Sequence, residues 1–415
     1  MVQRAATASS PADDRRQSSI DPMTDPRADP ASAARFLTRN AVEALPTGAL
    51  ERQLSVDRPL RVKLGIDPTA PDIHLGHTVV LRKLREFQDL GHTVVLIVGD
   101  YTARVGDPSG RSSVRPVLSG EQIDANAETF RSQAMKVLDS QRTETRMNGE
   151  WLDMAMDELF RLARTSTVAQ LLERDDFAKR HAANEPISIL ELLYPLLQGY
   201  DSVAVRADVE LGGTDQKFNL LLGRDIQGAY GVPPQSVLTM PILPGIDGVQ
   251  RMSKSLGNYV GVTDAPADMF GKLMRVPDSA MGTYYELLLD SEPDPSQAPV
   301  QSKRRMASEL TAQFHGPAAA QAAEAGFDRL HVRHEVPEEV EELVVEAADG
   351  KIHLPALLSA AFGVSSSEGR RLLAQGGVKV DGEPVVADAL DMPAEELDGT
   401  VVQAGKRRFR RIRLS

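Results

Sequence analysis

The feature that most constrains the fold is a strand–helix–strand unit between residues 60 and 100. The apolar run LRVKLGID, residues 60–67, predicts a buried strand that ends in the turn-forming segment DPTAPD. A helix is predicted over residues 75–90, with Gly91 just past its end, and the apolar segment HTVVLIVGD, residues 92–100, predicts a second strand. Nearly continuous apolar strands joined through a helix are typical of a parallel sheet covered on both faces. The sequence therefore predicts an α/β domain with a doubly wound sheet.

Further elements extend this domain on both sides. A helix is predicted over residues 31–54. Downstream, the patterns predict helices over 120–138 and 154–164, a polar stretch over 175–185, a strand over 202–213, a helix from about Gln216 and a short strand over 237–243. The last strand leads into a Gly-rich loop, PGIDGVQRMSKSLGN.

The C-terminal part has a different pattern. Residues 266–326 predict helices without intervening strands, and residues 335–350 hold seven carboxylates and no basic residue, which is typical of a solvated helix face or a linker. Residues 351–415 combine the helix-like HLPALLSAAF and SSEGRRLLAQGG with the strand-like VKVDGEPV and a basic end, GKRRFRRIRLS. We therefore expect a catalytic domain over 31–262, an α-helical domain over 263–334, an acidic linker over 335–350 and a small α+β domain over 351–415.

Composition excludes several kinds of protein. The chain has no cysteine, so disulfides, thiolate chemistry and Cys-ligated metals are excluded. It has no apolar run of about 18 residues, so no membrane span is predicted and a cytoplasmic location is expected. Residues 1–30 lack an apolar stretch and predict a disordered extension, in which Met23 is an alternative start to Met1. The net charge of −12 does not exclude a nucleic-acid partner, because a local basic surface can bind phosphate.

The motif HLGH, residues 74–77, lies where the first strand turns into a helix. His74 and His77 are three residues apart and share a helix face, so their ring N–H groups can point at a phosphate bound at the helix N-terminus. Gly76 leaves room for a flat adenine against the backbone. The alternative is a pair of histidines that only caps the helix, but the strand and Pro-rich turn before them favour a binding role.

The motif RMSKS, residues 251–255, lies in a loop bracketed by Gly248 and Gly257. Arg251 and Lys254 supply two cations, and a loop of this kind can close over a triphosphate as pyrophosphate leaves. Taken alone, such a segment is more often a surface turn. Its combination with the histidine motif favours phosphate binding.

Polar residues of two further segments indicate a binding pocket. In YPLLQGYDS, Tyr194, Gln198 and Asp201 are spaced four and three apart and share a helix face, which is unusual for a core helix. The alternative is an amphipathic helix with Tyr194 in the core. In GGTDQ, Asp215 follows a strand and lies at the carboxyl edge of the sheet, where open α/β sheets bind ligands, and it is also suited to cap the next helix.

HLGH and RMSKS resemble the HIGH and KMSKS signatures of class I aminoacyl-tRNA synthetases. The segments DPTAPDIHLGH, GDPSGR, YPLLQGYDS and GGTDQ resemble the tyrosyl-tRNA synthetase family, in a second bacterial branch, and the resemblance covers residues 36–415. It implies a Rossmann-like catalytic domain, an anticodon-binding α-helical domain and an S4-like RNA-binding domain. The implied reaction activates L-tyrosine with ATP to tyrosyl-adenylate and pyrophosphate, then transfers tyrosine to the 3′ end of tRNA(Tyr). The resemblance also implies a homodimer, with Mg²⁺ accompanying ATP and no dedicated protein ligands for a metal.

The resemblance assigns roles to individual residues. The expected catalytic residues are His74, His77, Arg251 and Lys254. The expected ATP-binding residues are Asp67, Thr69, Gly76, Arg111, Arg115, Gly213, Asp215, Met252, Ser253 and Ser255. The expected tyrosine-binding residues are Lys63, Asp107, Tyr194, Gln198, Asp201 and Gln216, with Asp201 accepting from the substrate hydroxyl. The expected RNA-binding residues are Arg370, Arg371, Lys406, Arg407, Arg408 and Arg410.

Two positions depart from the family pattern. Many tyrosyl enzymes have a tyrosine where this chain has Lys63, which could donate to the substrate phenol oxygen, pair with Asp201 or point elsewhere. Arg251 replaces the usual first lysine of KMSKS, which keeps the charge and alters its reach.

Three other functions fit parts of the sequence. A tryptophanyl-tRNA synthetase shares both signatures, but Asp201 within the tyrosine-specific spacing argues against it. A small nucleotidyltransferase with an HxGH motif would not need the C-terminal domains. A non-catalytic S4-type RNA-binding protein would not need the ATP motifs.

Overall fold

The computed structural model describes residues 25–68, 72–107, 119–332, 340–386, 389–405 and 408–415. The chain divides into two compact units, the first comprising Met1–Asp264 with Arg275–Met306 and the second Ala265–Met274 with Ala307–Ser415. Among the described helices, none is long and apolar enough to cross a membrane.

The first unit is built on a six-stranded sheet with the order β1-β6-β5-β2-β3-β4. Its strands are β1 (Glu43–Leu45), β2 (Arg61–Ile66), β3 (Thr93–Val98), β4 (Thr143–Met147), β5 (Val209–Gly213) and β6 (Ser236–Met240). Strands β2 to β6 are parallel and β1 is antiparallel to β6. The chain winds from β2 to one edge and then from β5 to the other, so the strand order reverses between β2 and β5. In open α/β sheets this is where ligands bind.

Helices connect the strands of this sheet. In the first unit they are α1 (Pro30–Thr38), α2 (Ala49–Leu54), α3 (Leu75–Asp89), α4 (Thr102–Val105), α5 (Gly120–Ala134), α6 (Gly149–Leu152), α7 (Met156–Ala163), α8 (Val168–Leu171), α9 (Asp175–Ala182), α10 (Ile189–Ala204) and α11 (Lys217–Ala229). Val94, Val95 and Ile97 of β3 are fully buried, as expected for a central parallel strand. The predicted α/β class of the catalytic domain is confirmed.

Helices α10 and α11 pack tightly against each other at Gly199. A Cβ atom on Gly199 would lie 2.5 Å from Cδ1 of Ile226 and 3.2 Å from the Cα atom of Gly223. Glycine at this crossing therefore lets the two helices approach closely, which fixes the position of α10 and of the polar residues it carries.

Helices α12 (Pro266–Leu273), α13 (Asp278–Tyr284), α14 (Pro299–His315) and α15 (Pro317–His331) follow, with a π-helical turn at Tyr285–Leu289. No strand is formed over 266–326, as the sequence predicts. In the second unit, α12 packs on α15, and the centroids of the Phe270 and Phe327 rings are 5.5 Å apart.

The C-terminal part of the second unit contains a five-stranded sheet with the order β10-β9-β12-β13-β7 and a pair formed by β8 and β11. The strands are β7 (Glu342–Val345), β8 (Lys351–His353), β9 (Val378–Val380), β10 (Glu383–Pro384), β11 (Asp391–Pro393), β12 (Val401–Ala404) and β13 (Arg408–Leu414). Helices α16 (Leu354–Phe362), α17 (Ser366–Ala374) and α18 (Ala394–Leu397) accompany them. Their apolar core includes Leu358, Leu373, Val402 and Ile412.

Two predicted elements of the first unit are wrong in part. The helix predicted over 31–54 is interrupted by β1, because Asn40 and Gly48 adopt left-handed φ angles of 59° and 72°. The strand predicted over 202–213 begins only at Val209, because residues 202–204 complete α10 and Arg206 turns the chain with φ 50°. The β-branched side chains in this segment favour a strand locally, but the buried helix face of α10 continues into it.

The acidic segment over 335–350 also differs from the prediction of a solvated helix face or linker. Residues 333–339 lie outside the described part, but Glu342–Val345 forms β7 and pairs in parallel with β13. Arg413 of β13 lies 3.3 Å from Glu342, and Arg410 is ion-paired with Glu341. The opposite charges of the two segments therefore support a strand pairing that the acidic composition alone did not indicate. Residues 1–24 of the predicted disordered extension are likewise outside the described part.

We expect Gly199→Ala to lower the free energy of unfolding of the first unit by about 1–3 kcal/mol, because the added methyl group forces α10 away from α11. Denaturant unfolding followed by the fluorescence of Trp151, the one tryptophan in the sequence, measures this unit selectively. Gly228→Ala on the exposed face of α11 is the matched control, since a Cβ there meets no atom within 4 Å. The control should stabilise by up to about 1 kcal/mol, and equal effects of the two substitutions would contradict the packing argument.

Candidate active site

The carboxyl ends of β2, β3 and β5 open into a cavity of about 350 Å³. The predicted residues that line it are Asp67, His74, Gly76, His77, Asp107, Tyr194, Gln198, Asp201, Gly213, Asp215, Gln216, Arg251, Met252 and Ser253. Lys254 and Ser255 continue the same loop beyond the lining, and Lys63 lies behind the wall. Thr69, Arg111 and Arg115 are outside the described residues. Most of the residues predicted to bind ATP and tyrosine are thus brought together in one place.

His74 and His77 form the N-terminal cap of α3. The Nδ1 atom of His74 accepts from the backbone N–H of Gly76 at 3.2 Å, and Nδ1 of His77 accepts from the backbone N–H of His74 at 3.2 Å. Burial lowers the pKa of His74 to about 2, with a further contribution from His77, and lowers the pKa of His77 to about 4. Both rings are therefore neutral at pH 7 and carry their proton on Nε2, so each offers an N–H donor without a full charge.

Gly76 lies next to both the His74 ring and Met252 of the RMSKS loop. A Cβ on Gly76 would be 3.0 Å from ring atoms of His74 and 3.6 Å from Cβ of Met252. The glycine therefore lets the loop approach the start of α3, in addition to the role predicted for it beside an adenine.

The RMSKS loop is held by a residue that sequence analysis missed. Asn258 Oδ1 accepts from the backbone N–H of Ser253 at 2.8 Å, and its amide group donates to Asp247 at 2.6 Å and to the carbonyl of Arg251 at 3.1 Å. The two cations of the loop are paired with acids, Arg251 with Asp215 at 3.9 Å and Lys254 with Asp72. Both are about 40% exposed, so they remain accessible to a phosphate ligand.

Another part of the cavity wall is a network of amides and charges. Asp107 accepts from Gln216 at 3.0 Å and from Arg174 at 3.4 Å. Asn219 donates to the side-chain oxygens of Gln198 at 2.8 Å and Gln216 at 3.0 Å. The buried Arg174 and Asn219 were not predicted, because neither belongs to a motif and their partners Asp107 and Gln198 come from other segments.

Tyr194 is oriented by Asp67. Its hydroxyl donates to Oδ2 of Asp67 at 2.8 Å, while Oδ1 of Asp67 accepts from Thr102 at 2.7 Å. Burial, followed by the nearby Asp67 carboxylate, raises the pKa of Tyr194 well above its usual range. Tyr194 is therefore a neutral phenol, and its oxygen is available as an acceptor.

Asp201 is a deeply buried acid of the cavity wall, with 3% of its surface exposed. Its Oδ1 accepts from the indole N–H of Trp151 at 2.8 Å, and its Oδ2 accepts from the amide of Asn148 at 3.4 Å. Burial raises the pKa of Asp201 to about 7, against the opposing effect of Lys63. Trp151 and Asn148 were also missed by the sequence analysis, which had no pattern connecting residues after β4 to α10.

Lys63 does not line the cavity, and the prediction that it contacts tyrosine is not supported. Its side chain is fully buried, and its ammonium group lies 2.7 Å from Oε1 of Glu210. It also donates to the carbonyl of Gln198 at 3.0 Å and to Oγ of Ser202 at 2.8 Å. These contacts match the third alternative left open by the sequence, in which Lys63 contacts neither the phenol oxygen nor Asp201 directly.

The predicted RNA-binding residues that are described lie in the second unit. Arg370 and Arg371 are exposed on α17, and Arg371 pairs with Glu368 at 2.8 Å. Arg408 and Arg410 lie on β13, where the Arg408 guanidinium is 5.9 Å from the centroid of the Phe362 ring. Lys406 and Arg407 are outside the described residues.

Comparison with known proteins identifies the family. A family model described as tRNA synthetases class I (W and Y) matches residues 55–332. The chain is 49% identical to a tyrosine–tRNA ligase of Moorella thermoacetica over 399 residues, covering 92% of this chain and 96% of the relative. It is 50% identical to a tyrosine–tRNA ligase of Geobacter metallireducens over 376 residues, covering 88% and 93%.

Two solved structures share the fold. One is a C-terminally truncated Aspergillus nidulans mitochondrial tyrosyl-tRNA synthetase, with a TM-score of 0.60, 20% identity and coverage of 73% of this chain and 94% of that one. The other is the tyrosyl-tRNA synthetase of Archaeoglobus fulgidus complexed with L-tyrosine, with a TM-score of 0.60, 22% identity and coverage of 71% and 99%. Because the sequence relatives match along nearly their whole length, the chain belongs to the tyrosyl-tRNA synthetases of the class I family.

Proposed function

We propose that this chain is a tyrosine–tRNA ligase that forms tyrosyl-adenylate and then transfers tyrosine to the 3′ end of tRNA(Tyr). The observation that carries the proposal is a single cavity lined by residues of both signature motifs and by the buried acid Asp201. The curated relatives carry the name of this activity, and their similarity covers 92% and 88% of this chain. A tryptophanyl enzyme is not favoured, because the relatives are tyrosine–tRNA ligases.

In the first step, the tyrosine carboxylate attacks the α-phosphorus of ATP in line with the leaving pyrophosphate. The carboxylate is already ionised, so no protein nucleophile or strong base is needed. His74 and His77 donate from Nε2 to phosphate oxygens, and Arg251 and Lys254 leave their acidic partners to neutralise the pyrophosphate. Mg²⁺ would arrive with ATP as part of the substrate, and the described residues contain no group of three His, Cys, Asp or Glu side chains suited to hold a metal.

The amino acid would be bound between two sets of acceptors. Asp107, the Tyr194 oxygen and the Gln198 amide oxygen suit the three N–H donors of the substrate ammonium. Asp201 would accept from the substrate hydroxyl. A buried polar site of this kind rejects phenylalanine because its acceptor would be left unpaired, an effect for which tyrosyl-tRNA synthetases are themselves the standard example.

Amino-acid-dependent exchange of pyrophosphate into ATP tests the substrate. We expect exchange with tyrosine, and we expect Asp201→Asn to lower kcat/KM for tyrosine by about 10- to 100-fold through loss of a charge-assisted hydrogen bond. Asp225→Asn, at an exposed position of α11, is the matched control and should leave the exchange unchanged. Exchange with tryptophan and none with tyrosine would contradict the proposal.

For the second step, we infer that the segment over 263–334 is an anticodon-binding domain and that the module following it is an S4-like RNA-binding domain. Exposed arginines on α17 and the basic strand β13 offer cations to RNA phosphates, with recognition by shape and backbone.

Salt dependence of tRNA binding tests the second inference. Replacing Arg370 with Ala should weaken binding and reduce the slope of log affinity against log salt by about 1, because one phosphate contact is lost. Lys351→Ala, an exposed lysine on β8, serves as the control. An identical slope for Arg370→Ala and the unaltered chain would place the RNA contact elsewhere.

We also infer that the active protein is a homodimer, with an interface on the first unit. Large apolar side chains of α7, α8 and the start of α10 are mostly exposed, namely Met156, Phe160, Val168, Ile189 and Leu190. Helices α7 and α10 pack on each other through Leu162 and Leu196, so their exposed residues extend a shared apolar core to the surface. Such a concentration of apolar surface is typical of an interface.

Molar mass in solution tests the interface. The unaltered chain should elute at twice the monomer mass in light-scattering chromatography, and Ile189→Asp should shift it to the monomer because a charge would be buried at the contact. Val300→Asp introduces the same charge at an isolated exposed valine of α14 and should leave the dimer intact. A dimer that survives Ile189→Asp would exclude this surface.

A further inference from the structure

The three N–H donors of the Lys63 ammonium all have acceptors within the protein. They reach Oε1 of Glu210 on β5 at 2.7 Å, the carbonyl of Gln198 at 3.0 Å and Oγ of Ser202 at 2.8 Å. Ser202 in turn donates to Oε2 of Glu210 at 3.0 Å. Because an ammonium has three donors, none remains for a substrate hydroxyl.

Two of these acceptors lie on the turn of α10 that forms part of the tyrosine pocket. Gln198 and Asp201 both line the cavity, and Ser202 follows Asp201 directly. Lys63 therefore connects the central strand β2 to the turn of α10 that carries the acid expected to accept the substrate hydroxyl. Close packing of Gly199 against Gly223 of α11 also holds this turn.

The hydrogen bonds around Asp201 suit its ionised form. The two oxygens accept from Trp151 and Asn148, so a proton on either oxygen would compete with a donor already in place. Burial opposes ionisation, and the charged groups that act on Asp201 are Lys63 from β2 and Glu210 from β5, with the titratable Tyr194 on its own helix. Lys63 supplies the favourable charge, whereas Glu210 opposes it.

We propose that Lys63, held by Glu210, is a positioning residue for tyrosine recognition that fixes the Asp201 turn of α10 and keeps the Asp201 carboxylate ionised for the substrate hydroxyl. Lys63 acts in this way through Asp201 and without touching the substrate. The inference deepens the proposed function and rests on it, since it concerns how the same pocket distinguishes tyrosine from phenylalanine.

The effect of Asp201 ionisation on substrate choice is isolated by the ratio of kcat/KM for tyrosine to kcat/KM for phenylalanine. Pyrophosphate exchange between about pH 5.5 and 9 measures this ratio. Effects of pH on ATP, on the amino-acid ammonium and on the RMSKS loop are common to both substrates and cancel in the ratio. In the unaltered chain the ratio should fall by up to about tenfold per pH unit below a midpoint near the pKa of Asp201, about 7. Asp201 is ionised above that midpoint, so discrimination is present at higher pH and lost as the pH falls.

Removing either half of the ion pair should move the midpoint in the same direction. Lys63→Met removes the cation and should raise the midpoint by about one pH unit or more, which lowers the ratio about tenfold at pH 7. Glu210→Gln leaves the buried Lys63 charge unpaired, and loss of a proton from that lysine removes the cation that favours ionised Asp201. The midpoint should therefore also rise, by less than in Lys63→Met because the opposing anion is removed as well. A pair with only a structural role would reduce activity in both variants and leave the midpoint of the ratio unchanged.

Lys83→Met is the matched control, because Lys83 is also a buried lysine paired with an acid, Glu86 at 2.6 Å, and does not line the cavity. It should leave the midpoint unchanged. If Lys63→Met does not fold, Glu210→Gln alone decides: a higher midpoint supports the proposal, and an unchanged or lower one overturns it. Absence of tyrosine-dependent exchange in the unaltered chain would instead overturn the proposed function, so the two failures are distinguishable.

Discussion

Parallel pairing of β2 with both β3 and β5 is the interaction on which the site depends. The register joins Ile66 to Val98 on one side and Val62 to Val209 on the other, so all three strands end at the same edge of the sheet. Asp67 therefore meets Thr102, which follows β3, and the residues after β5 line the same cavity as the start of α3. A shift of one residue in either pairing would turn the alternating side chains of β2 to the opposite face, including Lys63.

Burial at this edge determines the charge that each functional group carries. The two histidines of α3 lie in the protein interior and are neutral donors, whereas the two cations of the RMSKS loop remain partly exposed and charged. Fixed neutral donors can position phosphates at little desolvation cost, and exposed cations on a loop can approach when charge develops. The histidines and the loop cations differ in charge because HLGH lies at a buried helix start, whereas RMSKS lies in a Gly-rich loop.

The sequence predicted the parts of the fold and site that depend on local patterns. The apolar strands, the helix after HLGH and the helix face of Tyr194, Gln198 and Asp201 follow from periodicity and motif spacing. The missed residues depend on partners in other segments: Trp151 contacts Asp201, Arg174 contacts Asp107 and Asn219 contacts Gln198. The strand β4 was missed because its sequence TETRM is polar and has no apolar run, and β7 because its pairing with a basic strand is invisible in its own composition.

Lys63 shows why a substitution in a buried site has to be interpreted with its neighbours. A lysine introduced alone into the buried middle of β2 would leave an unpaired charge, which costs several kcal/mol and would be relieved by loss of its proton. Glu210 on the adjacent strand supplies the opposite charge, and Ser202 and the Gln198 carbonyl supply the remaining acceptors. These partners accommodate Lys63 inside the domain, where its charge favours the ionised form of a second buried acid, Asp201. The geometry thus makes a residue that departs from the family pattern part of the environment of Asp201, even though its side chain never reaches the cavity.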